Sequence, residues 1–369
     1  MIYAFGFLLA IITAIFAALV IMVAVARGPS LRRYDRKKPT ATFARKAPSA
    51  GYAQAEAMLH KNFTVPNHSS TKDTNSLAAK RKRFEGFGRS RNFKAESCVT
   101  FTQMDASGRG LIVAGEWARA KGADPNKRIL YIHGGAFSAG SAISHRPVTA
   151  QLAKRTGASV YACDYRLMPE NGRMASVDDV RAVYEWILEN GPEGAAPISH
   201  LAVGGDSAGG NLTLMVIAWA RDEGLRAADC AFGLSAATDS SFGSPSIRAN
   251  FDTDIMLKPL VGPLLKIPRW LLLLLSWKKL GIKPSNPIIS PIMGNLAGLP
   301  PTLLQVSECE MMRDDAARYV NKAVAQGGQA TLQTWDHMPH VWHIFDRELE
   351  EAGEAYSELE RFIAKAFKG

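Results

Sequence analysis

The feature that most constrains the fold of this chain is a regular alternation of short apolar runs with longer amphipathic stretches. The short runs have the length and composition of buried strands and occur at 128–133, 159–163, 201–205, 230–234 and 302–306. The longer stretches have helical patterning and occur at 144–156, 176–190, 208–222 and 313–326. This alternation predicts an α/β fold, in which a mostly parallel sheet carries helices on both faces.

Other local patterns refine this prediction. The runs 97–104 and 110–117 flank a short turn and predict a hairpin at one edge of the sheet. Ser176, with Asp179 three residues later, has the spacing of a capping box and predicts a helix start there. The proline-rich stretch 245–285 interrupts the alternation and contains an apolar run with two tryptophans. Because that run is too short to span a bilayer, we expect a helical cap packed on the body; a cover over a site and a dip into a membrane interface are the alternatives.

The N-terminus is a long uncharged apolar segment. Residues 1–26 contain no charged side chain, and a helix of that length would extend roughly 39 Å, against about 30 Å for a hydrocarbon core. The run is longer than a signal-peptide core, and no Lys or Arg precedes it. We therefore predict an uncleaved transmembrane anchor. Ala24-Val25-Ala26 resembles a cleavage site, so a cleaved signal is the main alternative, and a buried core helix is the other.

The net charge of +10 belongs to one segment of the chain. Residues 27–94 carry 17 Lys/Arg against 4 Asp/Glu, a net of +13, so residues 95–369 net −3. The basic residues that directly follow the apolar run are Arg27, Arg32, Arg33, Arg36, Lys37 and Lys38. Basic residues beside a span stay on the cytoplasmic side, which predicts an external N-terminus and a cytoplasmic body.

A second basic run is interleaved with aromatic residues. Its basic members are Lys80, Arg81, Lys82, Arg83, Arg89, Arg91 and Lys94, and its aromatic members are Phe84, Phe87 and Phe93. Contact with anionic lipid head groups and a solvated basic linker are both compatible with this pattern. No groove-binding motif accompanies the charge, so a nucleic-acid partner is not expected. The four cysteines exclude a disulfide scaffold and favour a reducing compartment.

Two glycine-rich motifs follow predicted strands. Gly205-Asp206-Ser207-Ala208-Gly209 lies between a strand and a helical stretch, which is the context of a nucleophile elbow, where a sharp turn needs small flanking residues. His133-Gly134-Gly135-Ala136 follows the strand at 128–133. Such a loop suits the stabilisation of an oxyanion by backbone N–H groups. It contains neither a Walker lysine nor a G-x-G-x-x-G pattern, which disfavours phosphate binding.

Together with Asp164–Glu170 (DYRLMPE), these motifs resemble the hormone-sensitive-lipase-like family of α/β-hydrolase esterases. The similarity extends over roughly residues 95–365, and Met168 replaces the usual Ala. The resemblance implies an eight-stranded, mostly parallel sheet with a helical cap. Together with the apolar run and the basic segment, it divides the chain into an anchor at 1–26, a basic juxtamembrane linker with an N-terminal cap segment at 27–95, and a catalytic domain at 96–369 with the cap insertion at about 245–285.

The resemblance also implies a catalytic triad in the chain order Ser, acid, His. Ser207 takes the nucleophile position, and His340 takes the base position. His337 is then expected to be a polar residue of a loop, and His343 to lie on the surface of a helix. The acid position falls on Glu310, with Asp314 and Glu308 as alternatives. The expected oxyanion-hole residues are Gly134, Gly135, Ala136 and Ala208.

The function implied is that of a membrane-anchored serine carboxylic-ester hydrolase. The expected substrates are short to medium acyl esters or lipophilic esters, and neither a metal nor an organic cofactor is expected. An amidase, deacetylase or acyltransferase would use the same triad, and a non-catalytic ligand-binding protein is a further alternative. The sequence does not separate ester from amide hydrolysis, because both pass through the same tetrahedral intermediate.

Overall fold

The computed structural model describes residues 2–35, 39–62, 77–90 and 98–368. Within these ranges the strands are β1 (Ala41–Phe43), β2 (Val99–Gln103), β3 (Ala106–Gly108), β4 (Leu111–Val113), β5 (Gly115–Ala120), β6 (Asp124–Ile132), β7 (Ala158–Cys163), β8 (Asn190–Gly191), β9 (Gly194–Ala195), β10 (His200–Asp206), β11 (Cys230–Leu234), β12 (Thr302–Ser307) and β13 (Ala330–Trp335). The α-helices are α1 (Ile2–Arg27), α2 (Tyr52–Asn62), α3 (Leu77–Ser90), α4 (Arg146–Thr156), α5 (Arg173–Glu189), α6 (Ser207–Asp222), α7 (Ser246–Ala249), α8 (Lys258–Leu265), α9 (Arg269–Leu280), α10 (Arg313–Ala325) and α11 (Glu350–Ala366).

One nine-stranded sheet organises the body. Its order is β1-β13-β12-β11-β10-β6-β7-β5-β2, and the pairs are parallel except β5 with β7 and β2 with β5. Each of the five strands predicted from the apolar runs is present. The predicted α/β class with a mostly parallel sheet is therefore confirmed.

The sheet separates two apolar cores. Along β6, Leu130 and Ile132 pack into one core with α5, α6 and α10, whereas Ile129 and Tyr131 pack into the other with α4 and α11. All four side chains are fully buried, because successive residues of a strand point to opposite faces and both faces are covered. This is why the runs read as continuously apolar rather than alternating.

Two details of the predicted sheet are wrong. The sheet has nine strands rather than eight, because β1 joins it from the segment predicted as a linker and pairs in parallel with β13. A three-residue strand is too short to carry a periodic signal; here Phe43 stacks on Trp335 at 4.2 Å between ring centroids. At the other edge, β2 pairs with β5 as the hairpin prediction required, but the turn between them folds into a separate sheet, β3–β4.

The helix predicted to start at Ser176 starts earlier. α5 begins at Arg173, and the Ser176 hydroxyl donates to the Arg173 carbonyl at 2.9 Å from inside the first turn. Asp179 does not close a capping box, because its carboxylate accepts hydrogen bonds from the Arg166 guanidinium and backbone N–H. The capping-box prediction is therefore wrong: Ser176 bonds within the first turn of α5, and Asp179 bonds to Arg166 outside the helix.

The N-terminal helix α1 is, among the described residues, the one helix long and apolar enough to cross a membrane; a signal sequence would have the same character. Its C-terminal end is fixed to the body. Ala26 is fully buried, and the Val25 carbonyl accepts a hydrogen bond from the Ser285 hydroxyl at 2.7 Å. A Cβ at Gly28 would lie 2.7 Å from the Ser285 Cβ, so the chain leaves α1 where only glycine fits.

The basic segment contains folded elements. Arg36, Lys37, Lys38, Arg91, Phe93 and Lys94 lie outside the described residues. In α3, Phe84 and Phe87 are buried, and Arg81 donates to Glu170 and to the carbonyls of Ser138 and Met168. The described part of the second basic run is therefore a helix docked on the body rather than a solvated linker.

The cap insertion folds as α7, α8 and α9. The axes of α8 and α9 meet at 110°. Leu272 and Leu273 of α9 are buried, whereas Trp270 and Leu275 expose nearly half of their surface. α9 also packs against α1, so the insertion joins the N-terminal helix to the body.

Candidate active site

Ser207 sits at a tight turn between β10 and α6. Its φ is +50°, a left-handed conformation that side chains seldom adopt without surrounding support. A Cβ at Gly205 would lie 2.4 Å from the Ile132 carbonyl oxygen, and one at Gly209 would lie 1.9 Å from the same atom. The glycines on either side of Ser207 therefore let the turn approach the neighbouring strand.

Asp206 connects this turn to the glycine-rich loop after β6. Its buried carboxylate accepts hydrogen bonds from the Tyr131 hydroxyl at 2.6 Å and the Gly134 N–H at 2.9 Å, and His145 lies 3.4 Å away. Burial opposes ionisation of Asp206, but His145 and the Tyr131 hydrogen bond outweigh it and lower its pKa. The Gly134 N–H is thus already bonded, and the prediction that it belongs to an oxyanion hole is wrong.

The following residues of the loop keep their N–H groups available. Gly135, Ala136 and Phe137 have φ values of +112°, +55° and +57°, and a Cβ at Gly135 would lie 2.1 Å from the Ala139 carbonyl oxygen. Neither the Gly135 nor the Ala136 N–H has an acceptor among residues that the structure describes. Ala208 lies in the first turn of α6, where N–H groups have no partner within the helix. These three N–H groups remain suited to an oxyanion.

The DYRLMPE motif supports the glycine-rich loop after β6 through Tyr165. The Tyr165 hydroxyl donates to the His133 carbonyl at 2.9 Å, and the two rings stack with centroids 4.3 Å apart. Burial lowers the pKa of His133 to about 3, so this ring is neutral and serves packing. The motif therefore fixes the loop conformation and stays out of the reacting groups.

His340 and Glu310 form a buried pair. The His340 Nδ1 and Glu310 Oε2 atoms are 2.5 Å apart, and neither residue is accessible to solvent beyond 1%. The other Glu310 oxygen accepts hydrogen bonds from the Ser235 hydroxyl at 2.9 Å and the Ser307 N–H at 2.7 Å. The carboxylate thus holds the imidazole by its Nδ1 edge and leaves Nε2 on the other side.

The electrostatics of this pair favour a basic imidazole. Burial alone would lower the pKa of His340, but the Glu310 charge and hydrogen bond outweigh burial and raise it above 6.5. For Glu310 burial acts in the opposite direction and raises the pKa, while His340 and the Ser307 N–H oppose that rise. His340 Nε2 is buried and has no hydrogen-bond partner among the described residues. His340 lines the same cavity as Ser207. A hydrogen bond between a catalytic base and its nucleophile is often long in the free enzyme and shortens when substrate binds.

The alternative acids and bases lie in other contacts. Glu308 and Asp314 both bind the Arg313 guanidinium, and Asp314 also accepts from the Ser246 N–H. His337 contacts the Arg45 carbonyl. His343 is fully buried against Gln305, and burial lowers its pKa to about 3, so the prediction of a helix surface for it is wrong.

Residues of the cap insertion hold the loop that carries Glu310, and the sequence reasoning missed them. Asn250 donates to the carbonyls of Glu308 and Glu310, both at 2.8 Å. Asp254 is buried and accepts from the N–H groups of Met311 and Leu257. These residues lie some 60 positions upstream in a stretch without regular periodicity, so no local signal marks them.

Ser235 is a further residue that the sequence reasoning missed. Its hydroxyl donates to Glu310, accepts from the Val341 N–H at 3.1 Å, and so joins the acid loop to the base loop. Its φ of +52° is unusual for serine. A serine at the end of an apolar strand is a common feature, which is why the sequence alone does not single it out.

Ligand atoms of Asp254, Glu310 and His340 lie within 4.8 Å of one another, a spacing that a metal site would share. Their oxygens, however, already face hydrogen-bond donors: backbone N–H groups at Asp254, and Ser235, Ser307 and the imidazole at Glu310. The arrangement suits a hydrogen-bonded acid–base pair better than a set of metal ligands.

A cavity of about 180 Å³ is lined by Ser207 and His340. One wall comes from α3 through Lys80, Phe84 and Phe87. The opposite wall comes from the cap insertion through Met256, Leu257, Pro259 and Leu260. A pocket with apolar walls and a few convergent polar groups is the usual form of a small-molecule site.

Comparisons with known proteins agree with this geometry. Residues 129–344 match a family described as having the α/β hydrolase fold. The chain is 32% identical over 251 residues to an acetyl-hydrolase of Streptomyces hygroscopicus, covering 68% of this chain and 79% of that protein. It is 31% identical over 232 residues to the carboxylesterase NlhH of Mycobacterium tuberculosis, covering 62% and 70% respectively.

A solved structure of an esterase from the bacterial hormone-sensitive lipase family is also similar. The TM-score is 0.73 at 30% identity, and the match covers 87% of this chain and 99% of the other. With the sheet order, the elbow at Ser207 and the loop after β6, these likenesses identify the class of protein. The chain belongs to the hormone-sensitive-lipase-like family of α/β hydrolases and is a serine hydrolase with the carboxylesterase activity of that family.

Proposed function

We propose that the protein is a membrane-anchored carboxylic-ester hydrolase in which Ser207 is the nucleophile, His340 the general base and Glu310 the acid. The observation that carries the assignment is the 2.5 Å contact between His340 Nδ1 and Glu310, which directs Nε2 to the cavity containing Ser207. Of the three candidate acids, Glu310 alone contacts the imidazole; Glu308 and Asp314 bind Arg313 instead.

The reaction proceeds in two acyl transfers. Ser207 Oγ attacks the ester carbonyl while His340 Nε2 takes its proton, and Glu310 stabilises the imidazolium that forms. His340 then returns the proton to the departing alcohol as the acyl-enzyme forms. Water, deprotonated by the same imidazole, attacks the acyl-enzyme and releases the carboxylic acid and the free serine.

The oxyanion is held by the N–H groups of Gly135, Ala136 and Ala208. Their support comes from the loop conformation, because Asp206 and Tyr165 fix the residues before them. Donors fixed in this way need no rearrangement when charge develops on the carbonyl oxygen.

The substrates are lipophilic esters whose acyl group lies between α3 and α8. Phe84 and Phe87 on one side and Leu257 and Leu260 on the other offer apolar contacts, each buried methylene contributing about 0.8 kcal/mol. Lengthening the acyl chain should therefore lower KM until the cavity is filled.

Attachment to the membrane rests on α1 and on its contact with the cap. Tyr3, Phe5 and Phe7 expose 70% or more of their surface, as expected for side chains that face lipid. α9 of the cap insertion packs against α1, and its exposed Trp270 and Leu275 add to the apolar surface beside α1. We place the catalytic domain on the cytoplasmic side because Arg27, Arg32 and Arg33 directly follow the span.

The experiment that tests this function is a series of p-nitrophenyl esters of increasing acyl length, assayed with the detergent-purified full chain. Hydrolysis that disappears in Ser207→Ala and improves with acyl length supports the proposal. A matched p-nitroanilide series distinguishes an amidase, and turnover of the anilides above that of the esters would replace the ester assignment.

A further inference from the structure

A second cavity lies away from Ser207, where α1 meets the body. Its volume is about 90 Å³, and its charged lining comes from Arg27, Arg32, Asp239, Arg269 and Arg318, with Ser30 and Ser241 beside them. We call it the arginine cavity. Arg27 is the last residue of α1, Arg32 lies in the 3₁₀ turn Arg32–Tyr34, Arg269 begins α9, and Arg318 lies on α10.

Positive charge in the arginine cavity exceeds the negative charge that faces it. Arg318 is paired with Asp35, but Arg27, Arg32 and Arg269 have no carboxylate within 4 Å among the described residues. Burial lowers the pKa of Arg269; Asp239 opposes that change, and Arg27 and Arg318 add to it. The guanidinium groups are thus close enough to repel one another, and one facing carboxylate, Asp239, does not balance them.

The arginine cavity is held in shape before any ligand arrives. Arg269 Nε donates to the Ser241 carbonyl at 2.9 Å and its Nη2 to the Ser241 hydroxyl at 3.1 Å. The turn that carries Arg32 is fixed to α10, since Tyr34 is buried and its carbonyl accepts from Asn321 at 2.7 Å. Because the Arg269 guanidinium is already held, it loses little freedom when it binds an anion such as phosphate, whose geometry matches its planar group.

The position of the cavity selects the source of the anion. Arg27 ends the apolar helix and Arg32 follows five residues later, so the cavity lies at the C-terminal end of α1, where the proposed span leaves the bilayer. That is the depth of phospholipid head groups. Basic pockets beside a span on the cytoplasmic side are suited to anionic head groups.

We propose that the arginine cavity binds the headgroup phosphate of an anionic phospholipid. This inference rests on the membrane placement of α1 in the proposed function. The bound lipid joins α1, α9 and α10 through its phosphate, and so fixes the tilt of the catalytic body on the membrane. The site is separate from the second basic run in α3, whose Arg81 is engaged by Glu170.

The test measures lipid binding to the full chain purified in an uncharged detergent. Native mass spectrometry with added dioleoyl phosphatidylglycerol or dioleoyl phosphatidylcholine gives an apparent Kd for each lipid. Arg27→Gln/Arg32→Gln removes two exposed charges from the cavity, and Lys278→Gln/Lys279→Gln removes two from the far end of α9 as a matched control. Arg269→Gln tests the half-buried arginine at the start of α9.

We expect the wild type to bind phosphatidylglycerol more tightly than phosphatidylcholine. Arg27→Gln/Arg32→Gln should raise the Kd for phosphatidylglycerol by roughly tenfold or more and leave the Kd for phosphatidylcholine unchanged. The lysine control should stay within about twofold of the wild type. Equal losses in the two double variants would show non-specific attraction and overturn the proposal. Displacement of the lipid by millimolar inorganic phosphate would identify a free-phosphate site and overturn the lipid assignment.

The proposed function is followed separately in the same preparations. Hydrolysis of p-nitrophenyl butyrate reports on the triad, and resistance of the full chain to alkaline carbonate extraction from membranes reports on the span. Neither of these two measurements involves the arginine cavity. Lipid binding, in turn, is measured in detergent and requires neither ester hydrolysis nor insertion into a membrane. A failure of lipid binding is therefore distinct from a failure of catalysis or anchoring.

Discussion

The carboxylate of Asp206 accepts a hydrogen bond from the Gly134 N–H at 2.9 Å across 72 positions of sequence. The contact joins the residue before the nucleophile to the loop whose next two N–H groups face the same cavity. It also explains why these two positions need such different residues: a Cβ at Gly134 would lie 2.1 Å from an Asp206 oxygen. The turn at Ser207 and the glycine-rich loop after β6 are thus bonded directly to each other.

Replacing Asp206 should therefore impair the loop rather than the triad. We expect Asp206→Ala to lower kcat by about 10²-fold, as for the loss of an oxyanion donor, because Gly134 and Tyr131 lose their shared acceptor. Asp206→Asn keeps an acceptor oxygen and should retain about tenfold more activity. Steady-state kinetics on a short p-nitrophenyl ester compares the variants. Equal activity in both would mean that the charge facing His145 matters more than the bond to Gly134.

Ser207→Ala should abolish turnover while the fold survives, because a single oxygen is removed from a turn already held by its glycine neighbours. The loss should exceed about 10³-fold in kcat, since removal of a triad nucleophile commonly costs more than that. Circular dichroism and thermal unfolding serve as the control for folding. Activity above one thousandth of the wild type would place the nucleophile elsewhere.

Glu310→Gln should cost more activity than Asp314→Asn. Glu310 contacts the imidazole directly, whereas Asp314 accepts bonds from Arg313 and the Ser246 N–H near the start of α10. A triad carboxylate commonly contributes about 10⁴-fold to kcat, while the loss at Asp314 should stay within about tenfold. Both substitutions replace a carboxylate by an uncharged amide of the same shape, so the kcat/KM values of the two variants can be compared directly. The reverse ordering, with both proteins folded, would reassign the acid.

The pH dependence of kcat/KM should report the imidazole. His340 acts as a base only when neutral, and Glu310 raises its pKa above 6.5, so activity should fall as pH decreases through a midpoint above 6.5. In Glu310→Gln the negative charge is lost, and that midpoint should move to lower pH. A residual-activity profile measured with enough enzyme reveals the shift. An unchanged midpoint would mean that another group controls the rate.

Removal of residues 1–26 should release the enzyme from membranes only in part. The truncated protein keeps the basic residues of 27–94 and the exposed Trp270 and Leu275, so it should bind anionic vesicles at low salt and leave them as salt rises. Neutral vesicles should bind it weakly. Co-sedimentation of the truncated protein with vesicles at several salt concentrations measures this binding. If the truncated protein does not bind anionic vesicles even at low salt, the apolar helix alone attaches the protein to the membrane.

The sequence by itself determined the elements whose signals are local. A buried strand of a parallel sheet must be apolar on both faces, so the runs that became β6, β7, β10, β11 and β12 were readable as strands. Positions 205 and 209 beside Ser207 have no room for a side chain, so their glycines marked the turn before any contact was known. The apolar length of α1 was also readable locally, because 26 residues without charge are enough to cross a bilayer core.

Tertiary structure decided which groups meet. Glu308, Glu310 and Asp314 all lie within seven residues of one another, and only the packing of the loop shows that Glu310 faces His340. Strand β1 and the positioning residues Asn250 and Ser235 carried no signal, since each acts through one or two bonds to distant backbone. Gly134 was misplaced for the same reason: whether an N–H is free depends on an acceptor 72 positions away, and a sequence pattern describes neighbours along the chain rather than neighbours in space.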